Sequence, residues 1–596
     1  MKWLEDPVFL PIICITLLII FKLWQDRSKA PFPPGPLRLP IIGNMLMMGE
    51  LTHRGLATLA ERYGGLVYLQ LGCLHAFSVS TPEIARQVLQ VQDNVFSNRP
   101  TSITINYLTY NHADMAFAHC GPFWRQMRKV CVMKLFSRRR TESWASVQDG
   151  VDLMIRSVAN STSGTAVNLG KLIFNLTTNI TFRAAFKAKG HEDQDEFILI
   201  LQEFSKLCGA FDIGDFIPLI GWMDLQGINK RLKLVRTSLD RFIDKIIDEH
   251  MENPKSSNDV DADMVDGMLA LAETKDVNGG EDGDGLQKSL ALTRDNIKAV
   301  ILDIMFGGTE TVASAIEWTM SELIKNPDDM KQLQAELAST IGLDRKVQER
   351  DLDKLPFLEC VVKETLRLHP PIPLLLHETA EDCVVAGYFI PKRSHVMINV
   401  FAINRDKSSW KDADTFRPLR FSATGDSAGK DFKGNNFEFL PFGSGRRSCP
   451  GMQLGFYALK LGVAQLAHCF NWKLPDGMKP SELDMSDMFG LTAPRAVRLS
   501  AVHTPRLNCG VSFSLLLRQR EKSPVLFDLV ASTLSRWFEQ VDPFLLFQAY
   551  SYERHFSIGP LAITESGNSK FTNKNGGELS VKQPGLSCIR TRNPTK

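Results

Sequence analysis

Residues 439–451 of this 596-residue chain read FLPFGSGRRSCPG. Phe442, Gly445, Arg447, Cys449 and Gly451 fit the pattern F-x-x-G-x-R-x-C-x-G. Five fixed positions coincide by chance in about one such chain in several thousand, so this loop constrains the fold far more than a lone glycine pattern does. Two readings of Cys449 are open at this point: a buried free thiol in a glycine-rich turn, or a thiolate with a chemical task whose close backbone approach the glycines permit. The other cysteines do not decide between them. There are 11 in all, with scattered spacing and no Cys-x-x-Cys, which argues against a disulfide framework or a zinc site and points to a reducing compartment.

Other segments carry their own signals. A long helix is expected from Thr293 to Lys325, closed by Pro327. Its interior holds GGTET (307–311), and each glycine costs a helix about 1 kcal/mol relative to Ala. Either a neighbouring helix packs closely there or a bound group needs the space. KETLR (363–367) sets Glu364 and Arg367 on one helix face, and PLRF (418–421) supplies Arg420. A carboxylate between two guanidiniums would form a directional lock. WRQMR (124–128) places Trp124 and Arg128 one helical turn apart, and His377 follows Arg367 by ten residues.

These motifs, in this order, resemble those of the cytochrome P450 family. The resemblance implies a mainly α fold with small β-sheets and haem b as cofactor, with Cys449 as the axial thiolate and metal ligand. It also implies that Phe442, Gly445, Arg447 and Gly451 belong to the haem loop. Trp124, Arg128, Arg447 and His377 would meet the haem propionates. Glu310 and Thr311 would be the catalytic acid–alcohol pair that relays protons on the distal side, while Gly307 and Gly308 open a groove beside them. Val312 stands where many members carry Thr or Ser. Glu364, Arg367 and Arg420 would form the structural core around the cysteine loop. Within the family, residues 113–137, 303–318 and 473–496 are similar to the plant ferulate (coniferaldehyde) 5-hydroxylases. That finer likeness implies hydroxylation of the guaiacyl ring of ferulate, coniferaldehyde or coniferyl alcohol at C5, on the way to syringyl lignin and sinapate esters. A flavonoid B-ring hydroxylase and a haem-binding but inactive protein remain as alternatives. Expected pocket segments are 101–119, Ile304–Gly308, Ile372–Leu376 and Phe489–Thr492, mostly apolar with a few hydroxyls and amides, which suits a flat phenol.

The ends of the chain carry further expectations. VFLPIICITLLIIF (8–21) extends from Pro7 to Trp24 with only Lys22 charged, which is long enough for a span of ~17–25 residues. Acidic Glu5 and Asp6 precede it and Arg27, Lys29 and Arg38 follow, so a single-pass anchor (1–30) would leave the body in the cytoplasm at the endoplasmic reticulum membrane. PFPPGP (31–36) would be a stiff, extended connection. Residues 31–509 then form the haem-bearing domain. Residues 510–596 lack any likeness to the family and are expected to be disordered or a read-through product. Residues 253–289 are acidic and glycine-rich and are expected to be a solvated loop. Lys and Arg (69) nearly balance Asp and Glu (67), which excludes a general polyanion binder and gives no hint of nucleic acid. No flavodoxin-like or dinucleotide-binding segment is evident, so electrons are expected from NADPH–cytochrome P450 reductase, with O2 and a small phenol as the other partners. Arg125, Lys129 and Arg138–Arg140 would form its docking face, or simply a solvated basic surface.

Overall fold

In the computed structural model of the protein, the described residues are 30–133, 141–162, 164–186, 194–255, 263–273, 292–508, 568–572 and 578–582. The chain divides into two units, Met1–Ser514 and Leu515–Lys596. Seven helices of the first unit bear on the site: α1 (Pro122–Cys131), α2 (Leu169–Phe186), α3 (Gln194–Gly209), α4 (Ile228–Glu252), α5 (Arg294–Lys325), α6 (Pro356–Leu368) and α7 (Met452–Cys469). Helix α5 starts where a capping box forms. The Thr293 side chain accepts from the Asn296 N–H, and the Asn296 side chain accepts from the Thr293 N–H. It ends at Asn326, and Pro327 opens the next helix, Pro327–Ile341. Helix α5 is apolar nearly all round, as a helix buried on every side must be. Among the described residues it is the helix long and apolar enough to cross a membrane, yet most of it lies inside the protein core.

Two hydrophobic clusters share α5. Ile316 and Met320 pack with Ile173 of α2, Leu366 of α6 and Leu461 of α7. Ile304 and Phe306 pack with Phe204 of α3 and Leu239 of α4. Beside the helices lies a four-stranded sheet of β1 (Leu66–Leu71), β2 (Leu74–Val79), β4 (Leu374–Glu378) and β5 (His395–Asn399). Its order is β1-β2-β5-β4, with β2 and β5 parallel and the other pairs antiparallel. A second sheet joins β3 (Ala166–Asn168), β7 (Ser500–Pro505) and β6 (Phe470–Lys473) in the order β3-β7-β6. In the second unit, Asn568–Thr572 and Glu578–Lys582 pair as an antiparallel hairpin.

One expectation changes. Within the supposed loop 253–289, Met264–Glu273 is a helix with Met264, Val265 and Met268 buried. The acids on either side had masked the apolar run MVDGMLALA. Asp263 caps this helix, accepting from the Val265 and Asp266 N–H groups. The expected anchor, Arg138–Arg140 and nearly all of 510–596 lie outside the described residues.

Candidate functional site

The cysteine loop leads directly into α7, and its backbone explains its glycines. Gly445 has φ +66°, and a Cβ there would lie 2.4 Å from the Leu89 carbonyl oxygen, so no other residue fits. The Cys449 N–H donates to the Phe442 carbonyl at 2.9 Å, which curls the loop back on itself. Burial pushes the Cys449 thiol pKa up, while the Gly451 N–H and the nearby Arg128 charge pull it back down. The sulfur is enclosed by protein but bare toward an internal cavity.

That cavity measures about 330 Å³. Phe442, Cys449 and Leu454 line it from the loop and α7, and Ile304, Gly307 and Thr311 line it from α5. Three arginines complete the lining, Arg99, Arg128 and Arg447, together with His377 and Trp124. The Arg447 guanidinium stacks 4.4 Å from the Trp124 ring centre. Its Nε donates to the Ser97 carbonyl at 2.8 Å and its Nη2 donates to Ala118. Arg128 donates to the Ser448 carbonyl. Burial lowers Arg447 to about 9, with the Arg99 charge adding to the effect. Burial also lowers Arg99 to about 10. His377 Nδ1 pairs with the Phe96 carbonyl at 2.7 Å, and burial beside Arg99 lowers the ring to about 3. The Trp124 indole N–H is buried without a partner. Such crowded cations and an orphan donor are what an anionic group would satisfy.

Helix α5 divides its special residues between two surroundings. A Cβ on Gly307 would meet nothing within 4 Å, so this glycine opens the cavity. A Cβ on Gly308 would lie 2.7 Å from Thr181 Oγ1, so this one lets α2 pack close. Both expected reasons for the pair hold, one at each position. Thr311 lines the cavity and its hydroxyl donates to the Gly307 carbonyl at 2.6 Å. Glu310 does not line the cavity. Its carboxyl is buried near Thr492, and burial raises its pKa to about 7. Away from α5, Glu364 lies between Arg367 and Arg420, all three fully buried. Arg367 grips it through Nε and Nη2 at 2.8 Å each, and Arg420 Nε donates at 3.0 Å. Their other guanidinium nitrogens donate to backbone carbonyls, among them Ala413 and Lys411.

Of the expected pocket segments, 101–119 contributes Met115 and Ala116, and 372–376 contributes Ile372 and Leu375. Phe489–Leu491 instead line a second cavity of about 90 Å³, together with Leu374 and Leu376. Strand β4 alternates its side chains between the two spaces. Three groups had no signal in the sequence. Arg99 joins the cationic cluster from an unremarked loop. Asp303, in the cavity wall, accepts from the Met115 and Ala116 N–H groups at 2.7 and 3.0 Å. Burial raises Asp303 to about 7 and holds its neighbour Asp114 well above the carboxylate range.

The comparisons with known proteins decide the family. Residues 33–498 match the Cytochrome P450 family model. The chain belongs to the cytochrome P450 family. It is 63% identical over 514 residues to Cytochrome P450 84A1 of Arabidopsis thaliana, covering 85% of this chain and 98% of that one. It is 38% identical to Flavonoid 3'-monooxygenase CYP75B137 of Crocosmia x crocosmiiflora, over 83% of this chain and 97% of that one. A zebra fish cytochrome P450 solved with abiraterone superposes with a TM-score of 0.63 at 25% identity, covering 76% of this chain and 99% of that one. The fold is that of a P450, mainly helical with small sheets. P450 monooxygenases hold haem b through a cysteine thiolate and take O2, an organic substrate and electrons from a reductase. The residues of this P450 fit that cofactor: a bare sulfur faces the cavity, and three arginines and the unpaired Trp124 N–H stand ready for carboxylates.

Proposed function

We propose that this P450 hydroxylates the guaiacyl ring of phenylpropanoids at C5, using O2 and electrons from NADPH–cytochrome P450 reductase. The observation that carries the monooxygenase chemistry is the pairing of Cys449 and Thr311 across one apolar-walled cavity. The substrate class rests on the three segments similar to plant ferulate 5-hydroxylases, at 113–137, 303–318 and 473–496. Residues 31–509 carry this activity, and 1–30 anchor it at the endoplasmic reticulum with the body in the cytoplasm. The apolar run 8–21 supports that placement.

When bound, haem supplies the oxygen-activating chemistry, which a thiolate ligand favours by pushing electron density toward the iron. Cys449 would provide the thiolate, and the Gly451 N–H would temper its charge. Trp124, Arg128, Arg447 and Arg99 would hold the propionates, with His377 beside them in the same lining. Phe442 and Leu454 keep water from the sulfur side. Thr311 holds a proton on Oγ1 that it now shares with the Gly307 carbonyl, and turning that hydroxyl inward presents it to the cavity. Glu310, with a pKa of about 7, is both donor and acceptor near neutrality. Ile304, Ala116 and Ile372 offer flat apolar contacts for a ring.

Turnover of the full chain with the reductase, NADPH and either coniferaldehyde or naringenin tests the substrate class. The expected result is a 5-hydroxylated aldehyde with at least about a tenfold preference in kcat/KM, or about 1.4 kcal/mol. Turnover of naringenin alone would make it a flavonoid hydroxylase, as the 38% identical relative's name would suggest.

A further inference from the structure

Asp303 is the only acid among the described residues that line the main cavity. It keeps accessible surface although protein encloses it, and the space it meets is that cavity. Asp303, Gly307 and Thr311 fall at i, i+4 and i+8 on α5, so they form one stripe along its cavity face. Each step along the stripe rises about 6 Å. Gly307 leaves open space in the middle, with Thr311 one turn beyond it and Asp303 one turn before it.

The Asp303 carboxyl is held in place. Its Oδ2 accepts from the Met115 and Ala116 N–H groups at 2.7 and 3.0 Å. Asn296, two turns earlier on α5, donates to the Ala113 carbonyl at 3.1 Å, and Asp114 accepts from the Phe117 N–H at 3.0 Å. These bonds pin the 113–117 segment to the helix. A carboxylate offers about four acceptor sites, and Oδ1 takes neither N–H, so acceptor capacity remains for a ligand. The wall around it is apolar, with Met115, Ala116, Ile304, Ile372 and Leu375. In such a pocket the few polar groups set orientation and specificity. Charge narrows the choice of ligand. Burial, with the Asp303 charge adding to it, holds the neighbouring Asp114 well above the carboxylate range. A further negative charge brought to this place would be repelled. Arg99 and Arg447 donate to the Ala116 and Ala118 carbonyls and stand in the group that would hold the propionates, so they are not left for an acid.

We infer that Asp303 is a specificity-determining residue that receives the far end of the substrate's three-carbon tail. It accepts from a tail alcohol and turns away a tail carboxylate. The inference rests on the proposed guaiacyl substrates, whose tails end in an acid, an aldehyde or an alcohol and which differ nowhere else. A ring lodged at Gly307, within reach of Thr311, directs its tail along the stripe, and a three-carbon chain has the reach of one helical turn.

The test is optical titration of the haem-loaded full chain with three guaiacyl compounds. Coniferyl alcohol and ferulate carry the two tails, and isoeugenol has the same ring and a propenyl tail without oxygen. In wild type, coniferyl alcohol should bind at least about tenfold more tightly than isoeugenol, and ferulate at least about tenfold more weakly. Asp303→Asn removes the charge and keeps an oxygen for the Met115 and Ala116 N–H groups. It should tighten ferulate by about tenfold or more relative to isoeugenol, whose own affinity should stay within about twofold. Asp303→Glu keeps the charge and should leave ferulate weak. Ferulate affinity that does not rise relative to isoeugenol in Asp303→Asn overturns the inference. Equal losses for all three compounds also overturn it, because Asp303 would then only fasten the 113–117 segment. If no guaiacyl compound shifts the wild-type spectrum, the substrate class fails and this inference falls with it; if all three bind alike, this inference alone fails.

Discussion

Thr311 and Glu310 are neighbours in sequence and strangers in space. One faces the cavity and the other is buried away from it, because consecutive helical residues point about 100° apart. In the proposed relay, that separation would divide the work. Thr311 can act only where its hydroxyl leaves the Gly307 carbonyl, and Glu310 holds a proton that burial keeps available near pH 7. Thr311→Ala should therefore retain haem and reductase-driven NADPH oxidation. Product should fall by about 10²-fold or more, with hydrogen peroxide replacing it. Measured peroxide-to-product ratios check this, and tight coupling in the variant would remove Thr311 from the relay. At this scale the sequence was informative where a motif names residues, as at Cys449 and Gly451. It was silent on Arg99, Asp303 and Asp114, whose meaning comes only from which buried charges they meet.

Helix α5 shows how one element reconciles stability with an opening. Its extent was readable from the sequence, with Thr293 and Pro327 marking its ends, while its capping box came only with the structure. The two glycines could not be told apart without neighbours. Gly308→Ala should overpack against Thr181 and cost about 1–3 kcal/mol in chemical unfolding. Gly307→Ala adds a methyl to open space, so it should leave stability intact, while substrate-induced spectral shifts weaken as the cavity shrinks. Equal destabilisation by both would contradict the division. Helix α6 is a different kind of element. Its Glu364 and Arg367 tie it to Arg420 through fully buried ion pairs. Glu364→Gln leaves two guanidiniums without a counter-charge and should cost about 3–5 kcal/mol, seen as lost holoprotein and a lower unfolding midpoint. The i, i+3 spacing predicted the first pair; Arg420 needed the ordering of motifs, since no local rule joins positions 56 residues apart.

For the molecule as a whole, 596 residues would allow several domains at ~150 residues each. The structure instead gathers the cysteine loop, the cationic cluster and α5 around one cavity in one unit, Met1–Ser514. The small sheets were only partly legible, because strands of three to six residues leave too short a period to read. The buried helix Met264–Glu273 was hidden by charge averaged over its flanks. The proposed chemistry depends on Cys449 being the thiolate that faces this cavity. The most direct measurement is the carbon monoxide difference spectrum of the reduced, full-length protein beside Cys449→Ala. A Soret band near about 450 nm in the wild type, lost in the variant, is the expected result for cysteine-thiolate ligation. A band that survives in Cys449→Ala, or that never forms in the wild type at full haem loading, would contradict it.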